Sequence, residues 1–130
     1  MARPFVVPAA AAEALAAAAA WKPDGPDDPD EFRAMVRTTL HWFGQQHPGR
    51  AVEIRVPPVS AVQAIEGLRH TRGTPPNVVE MTPATWLLLI TGRLRFPAAV
   101  ADGLVRASGT RADLAEFLPI PLPDPSNPDG

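Results

Sequence analysis

Cysteine is absent from the 130-residue chain, and that one gap removes a disulfide framework, a zinc-thiolate site and a thiol nucleophile together. Long apolar runs are missing as well. The stretch Ala9 to Ala20 is broken by Glu13 and made of a weakly apolar residue, so it is a poor signal-peptide core. No other run approaches the roughly 18 apolar residues of a membrane helix. The formal charge of -2 supplies no general attraction to nucleic acid or to an anionic membrane. Histidine is scarce, with only His41, His47 and His70. On a helix, the spacing of His41 and His47 places them roughly 240° apart, so they share no face as metal ligands would. Ser60 and Ser108 have neither a histidine at a motif spacing nor a glycine-flanked nucleophile turn, which leaves acyl chemistry without support. The sequence therefore predicts a cytoplasmic protein with no catalytic residue, no metal and no cofactor. The ending Pro128-Asp129-Gly130 carries no peroxisomal signal.

What is present suits one domain with an ordinary core, since 45% of the residues are hydrophobic and 20% charged. Pro8 opens an alanine-rich helix to Trp21 whose only large apolar groups are Leu15 and Trp21. Lys22 to Pro29 is a proline- and aspartate-rich linker. Asp28, Pro29, Asp30 and Glu31 then form a strong helix start. Phe32, Met35, Val36, Thr39, Leu40 and Phe43 recur at helical spacing up to Gly44.

Ala51 to Val56 alternates as a half-buried strand with Val52, Ile54 and Val56 inward, and Ala61 to Glu66 is expected to pair with it as a hairpin across Pro57-Pro58. Asn77 to Met81 is a third strand. Thr82 and Pro83 start a helix whose Trp86 to Ile90 run is apolar nearly all round, so it needs cover on more than one side. Gly92 stops it. Phe96-Pro97 begins a short helix, Leu104 to Ala107 is a fourth strand, and Gly109-Thr110 opens a last helix holding Leu114, Phe117 and Leu118. The proline-rich end has no core-forming pattern and reads as a disordered tail. No internal repeat is present. Segregated strands and helices favour an α+β arrangement with an antiparallel or mixed sheet.

The run Asn77-Val78-Val79-Glu80-Met81-Thr82-Pro83-Ala84-Thr85-Trp86-Leu87, the triplet Thr91-Gly92-Arg93 and the segment Asp102-Gly103-Leu104-Val105-Arg106-Ala107 resemble the C-terminal half of sterol carrier domains. The whole is most similar to the compact actinobacterial branch of that superfamily. The resemblance implies an SCP2-like α+β fold: a small, mostly antiparallel sheet of about four to five strands packed by helices, with an N-terminal helical extension. It divides the chain into residues 1–29 (helix and linker), 30–120 (the sterol-carrier-like domain) and 121–130 (tail). Family members usually place three strands ahead of the one at Asn77, where this chain has room for two.

The implied function is non-enzymatic binding or carriage of a lipid, fatty acyl chain or other apolar molecule in a tunnel closed by the C-terminal helix. Its lining candidates by position are Phe43, Trp86, Leu87, Ile90, Phe96, Val100, Leu114 and Phe117, each of which also reads as plain core. The polar loop holding Arg69, His70 and Arg72 could take a ligand's anionic head by charge-assisted bonds, or pin itself to the sheet through Glu53, Glu66 or Glu80. With no aromatic neighbours, it does not suit nucleic acid. The alternative function is a filled-core accessory module, because related domains occur fused to thiol-dependent isomerases and acetyltransferases. Any catalysis would then come from a separate partner chain.

Overall fold

The computed structural model describes residues 5–25, 28–67 and 77–123. In chain order the elements are α1 (Pro8–Ala20), α2 (Pro29–Gln46), β1 (Val52–Val56), β2 (Ser60–Ala64), β3 (Asn77–Met81), α3 (Pro83–Ile90), α4 (Phe96–Ala101) and β4 (Val105–Ser108), followed by a 3-10 turn at Ala115–Phe117. The strands form a sheet in the order β2-β1-β3-β4. β1 pairs antiparallel with β2 and parallel with β3, and β3 pairs antiparallel with β4. The fold is α+β with a small mixed sheet, and among the described residues two strands precede β3, as expected.

One sheet face is apolar. Val52, Ile54, Val56, Val62, Ala64, Val79 and Met81 are buried in one cluster with Leu40 and Phe43 of α2 and Trp86, Leu87 and Ile90 of α3. The alternate positions Glu53, Arg55, Ala61 and Glu80 lie on the outer face, where Arg55 pairs with Glu53 and, at 4.0 Å, with Glu80. A strand period of two, with one wet face, dictates this division.

Asp28 caps α2 through its carboxylate, which accepts from the Asp30 and Glu31 amides, satisfying two of the donors a helix start leaves open. The apolar stripe of α2 then buries Val36, Leu40 and Phe43. In α3 the Thr82 hydroxyl accepts from the Thr85 amide, and Thr85, Trp86, Leu87, Leu89 and Ile90 are all buried. That is the all-round cover its composition demands. Between α2 and α3 the buried Trp86 indole donates to the Thr39 hydroxyl at 2.9 Å.

α1 packs more closely than its two large residues suggest. Ala11, Leu15 and Ala18 are buried against the domain, because their spacings of four and three put them on one face, where the two small alanines let the helix backbones approach. Its ends are tied as well. Gln45 of α2 donates to the Val6 carbonyl at 2.9 Å and accepts from the Val6 amide at 3.0 Å. At the other end, Arg93 donates to the Ala18 and Trp21 carbonyls.

Several boundaries differ from the sequence reading, β1 starting at Val52 where Ala51 was expected. β2 runs Ser60–Ala64 because Ile65 takes a positive φ of 70°, which breaks the strand. β4 starts at Val105 because the Leu104 amide turns back to the Ala99 carbonyl at 2.9 Å, closing α4 with Gly103 at φ 77°. The expected last helix is reduced to the single 3-10 turn. There the Asp113 carboxylate accepts from the Ala115 amide at 2.9 Å, a local bond that competes with helix, and Pro119 ends the segment before a second turn can form. The first residues of the proline-rich end lie against the domain: the Ile120 amide donates to the Ile90 carbonyl at 3.0 Å and Pro123 is buried.

Candidate functional site

α2 ends in Trp42, Phe43 and Gln46 with His47 as its C-cap, and positions four apart at a helix end lie one above the other. Phe43 and His47 accordingly stack with ring centroids 4.7 Å apart. Phe117, carried by the 3-10 turn, meets His47 at 4.9 Å and Phe43 at 6.3 Å, both edge-on. Phe43 in turn meets Trp86 edge-on at 5.8 Å. The rings form a continuous path from the core to the surface, in the tilted and edge-to-face geometries aromatic quadrupoles prefer.

Over this path lies a strap, Pro119 to Pro123. Between strap and helix is a cleft of about 500 Å³, lined by Trp42, Phe43, His47, Phe117, Ile120 and Leu122 along with Gln46 and Glu116. Leu122 is 63% exposed, a large apolar side chain left in water at the cleft's edge. Burial lowers the His47 pKa from its usual value, which favours the neutral form of the imidazole between the two phenylalanines. A smaller, polar cleft of about 350 Å³ shares Glu116 and Phe117 and adds Ile65, Glu66, Arg111 and Asp113. The two clefts are joined through backbone, since the Ile65 amide donates to the His47 carbonyl at 2.6 Å. Gly49 permits this approach: at its φ of 146°, a Cβ would sit 2.1 Å from the Ile65 carbonyl oxygen.

Of the residues expected to line a ligand site, Phe43 and Phe117 meet in the aromatic cleft. Trp86 stands directly behind Phe43, and Leu87, Ile90 and Leu114 are fully buried in the core. Phe96 is buried at the start of α4, whereas Val100 is 38% exposed on the outer side of that helix. Arg69, His70 and Arg72 lie outside the described residues. Trp42, His47, Ile120 and Leu122 join the cleft without having been singled out for it. The Phe43/His47 spacing was a usable signal for His47. For Ile120 and Leu122 the prolines around them masked their apolar character.

The cleft offers apolar walls and one imidazole, surfaces suited in chemistry to an apolar group. Among the described residues no group of three histidine, aspartate or glutamate side chains is placed to hold a metal ion. Ser60 and His41, distant in sequence, do meet at 3.1 Å. His41 is 9% exposed, and the contact ties β2 to α2.

A protein-family model described as a bacterial SCP ortholog matches residues 28–120. The chain belongs to this sterol-carrier-protein-like family. The match runs from the cap of α2 through the 3-10 turn to the start of the strap, so the α2 wall of the aromatic cleft and Phe117 fall within the SCP-like region, while Pro121 to Pro123 of the strap follow it and α1 precedes it. No curated protein matches the chain. No helix among the described residues is long and apolar enough to cross a membrane.

Proposed function

We propose that this SCP-like protein is a non-enzymatic, cytoplasmic carrier of an apolar small molecule, a lipid or fatty acyl chain, taken up under the Pro119 to Pro123 strap. The observation that carries the reading is the cleft of about 500 Å³ with four aromatic or imidazole rings in its wall, inside the range of roughly 300–1,000 Å³ typical of small-molecule sites. Exposed Leu122 and half-buried Ile120 give an acyl chain apolar surface to cover, and each methylene buried contributes about 0.8 kcal/mol. The acyl chain would lie in the cleft against Phe43, His47 and Phe117, and its head would remain at the polar cleft or reach Arg69, His70 or Arg72.

Titration with a fluorescent fatty acid tests this directly. Saturable binding is expected for the natural protein, weakened at least tenfold in Phe117→Asp and Leu122→Asp variants that keep the far-UV spectrum. No saturable uptake, or equal uptake by all three, would overturn the reading. The accessory-module alternative draws support from Trp86, whose indole is fully buried and locked onto Thr39 at the centre of the core. It expects co-purification with a separate catalytic chain and no bound lipid.

A further inference from the structure

We propose that the groove between α1 and α2 is a docking site for a cationic, amphipathic helix of a partner protein. The groove has a volume of about 660 Å³ and is distinct from the aromatic cleft. One wall is the face of α1 next to its buried Ala11, Leu15 and Ala18, presenting Ala10, Ala14 and Ala17. The other is Phe32 and Met35 of α2. From Ala10 to Trp21 the wall runs for about 16 Å at 1.5 Å per residue, roughly three turns of a docked helix. Small residues on one wall and large apolar ones on the other suit a helix lying in a groove.

Charge selects the partner. Glu13, Asp28 and Glu31 line the groove, all exposed, and among the described residues no lysine or arginine lines it. Arg93, which approaches α1 closely, is committed to the Ala18 and Trp21 carbonyls. An anionic helix is repelled by this rim, and a second copy of the chain would bring the same three carboxylates to its own groove. A helix with lysines or arginines flanking an apolar stripe matches both floor and rim.

A second observation points the same way. The indole Nε1 of Trp21, which lines the groove, is the one buried side-chain nitrogen or oxygen without a hydrogen-bond partner among the described residues. Buried donors are nearly always satisfied. The Nε1 has almost no accessible surface in the free protein, so a docked helix would supply its acceptor, from a side chain or its last carbonyls, together with a shift of the Trp21 ring. The α1 wall lies outside residues 28–120 of the family match, so the groove exists because this chain carries a helix before the SCP-like region.

The test uses the full chain and a fluorescein-labelled, amidated peptide of leucine and lysine at helical spacing, followed by anisotropy at physiological salt. Saturable binding is expected, with an affinity loss of roughly tenfold, about 1.4 kcal/mol, in Glu13→Lys/Glu31→Lys and in Ala14→Phe, which plugs the groove. The peptide with glutamate in place of lysine is expected not to bind. In 15N spectra the Trp21 indole N–H resonance should move on binding while that of Trp86, already bonded to Thr39, stays. Binding unaffected by both variants overturns the proposal. So does self-association that occupies the groove and is lost in Glu13→Lys/Glu31→Lys, because the occupant is then a second copy.

Discussion

Replacing Thr39 with valine keeps the shape of a fully buried side chain and removes one hydroxyl. That hydroxyl accepts from the Trp86 indole at 2.9 Å and turns back to the Met35 and Val36 carbonyls at 2.9 and 3.1 Å. The carbonyls keep their helical partners. The indole N–H, with Trp86 0% exposed, loses its acceptor and cannot reach water. Leaving a buried donor unmet costs about 1–3 kcal/mol, which for a chain of this size is roughly 3–5 °C of Tm per kcal/mol.

Urea denaturation followed by far-UV circular dichroism reads the loss as a lower midpoint with unchanged slope. The decisive comparison is Thr39→Val made again in a Trp86→Phe background, where no indole remains to be orphaned. There the cost should shrink by about 1 kcal/mol or more, since contacting residues couple by about 0.5–3 kcal/mol. Equal costs in the two backgrounds, within roughly 0.3 kcal/mol, would refute the claim that this bond pins α2 to α3.

The lowered pKa of His47 has a definite sign. Its unfolded form holds the proton more tightly, so stability is full above the unfolded value of 6.5 and falls as the pH drops through it toward the folded value. The urea midpoint should therefore decline on acidification from neutral pH, and decline less in His47→Gln; identical profiles would contradict the burial assigned to this ring. Arg93→Ala removes the donors that hold the last carbonyls of α1, a cost of about 1–2 kcal/mol for charge-assisted bonds at a partly exposed site. Hydrogen exchange should quicken in α1 and stay unchanged in α3, and uniform protection would refute the tether.

Local signals were legible wherever a cap, a stripe or an alternation decided the outcome. Asp28 and Pro29 mark the start of α2, Thr82 and Pro83 that of α3, and the Val52/Ile54/Val56 alternation the buried face of β1. The parallel pairing of β1 with β3 was not fixed by any local pattern, since it depends on a connection that runs through residues 65–76. Leu104 looked like strand because its role is in the backbone, closing α4 through the Ala99 carbonyl. The last helix failed because a stretch bounded by Asp113 and Pro119 is too short to sustain helix against a local side-chain bond. Phe43 and Phe117 were legible as candidate lining residues because apolar spacing and the family resemblance both reach them, and their rings meet at 6.3 Å. Ile120 and Leu122 were not, because their contacts come from where a proline-rich segment lies and not from any periodicity. Trp21 shows the reverse: its apolar bulk was plain in the sequence, but whether its N–H finds an acceptor depends on what stands across from it in three dimensions.

The carrier reading is tested most directly by native mass spectrometry of the protein purified from its source without denaturant. The account predicts a stoichiometric adduct with the mass of a lipid or fatty acid, released on denaturation and diminished in Phe117→Asp. A protein that flies at its bare mass, and takes up no fluorescent fatty acid afterwards, would contradict it.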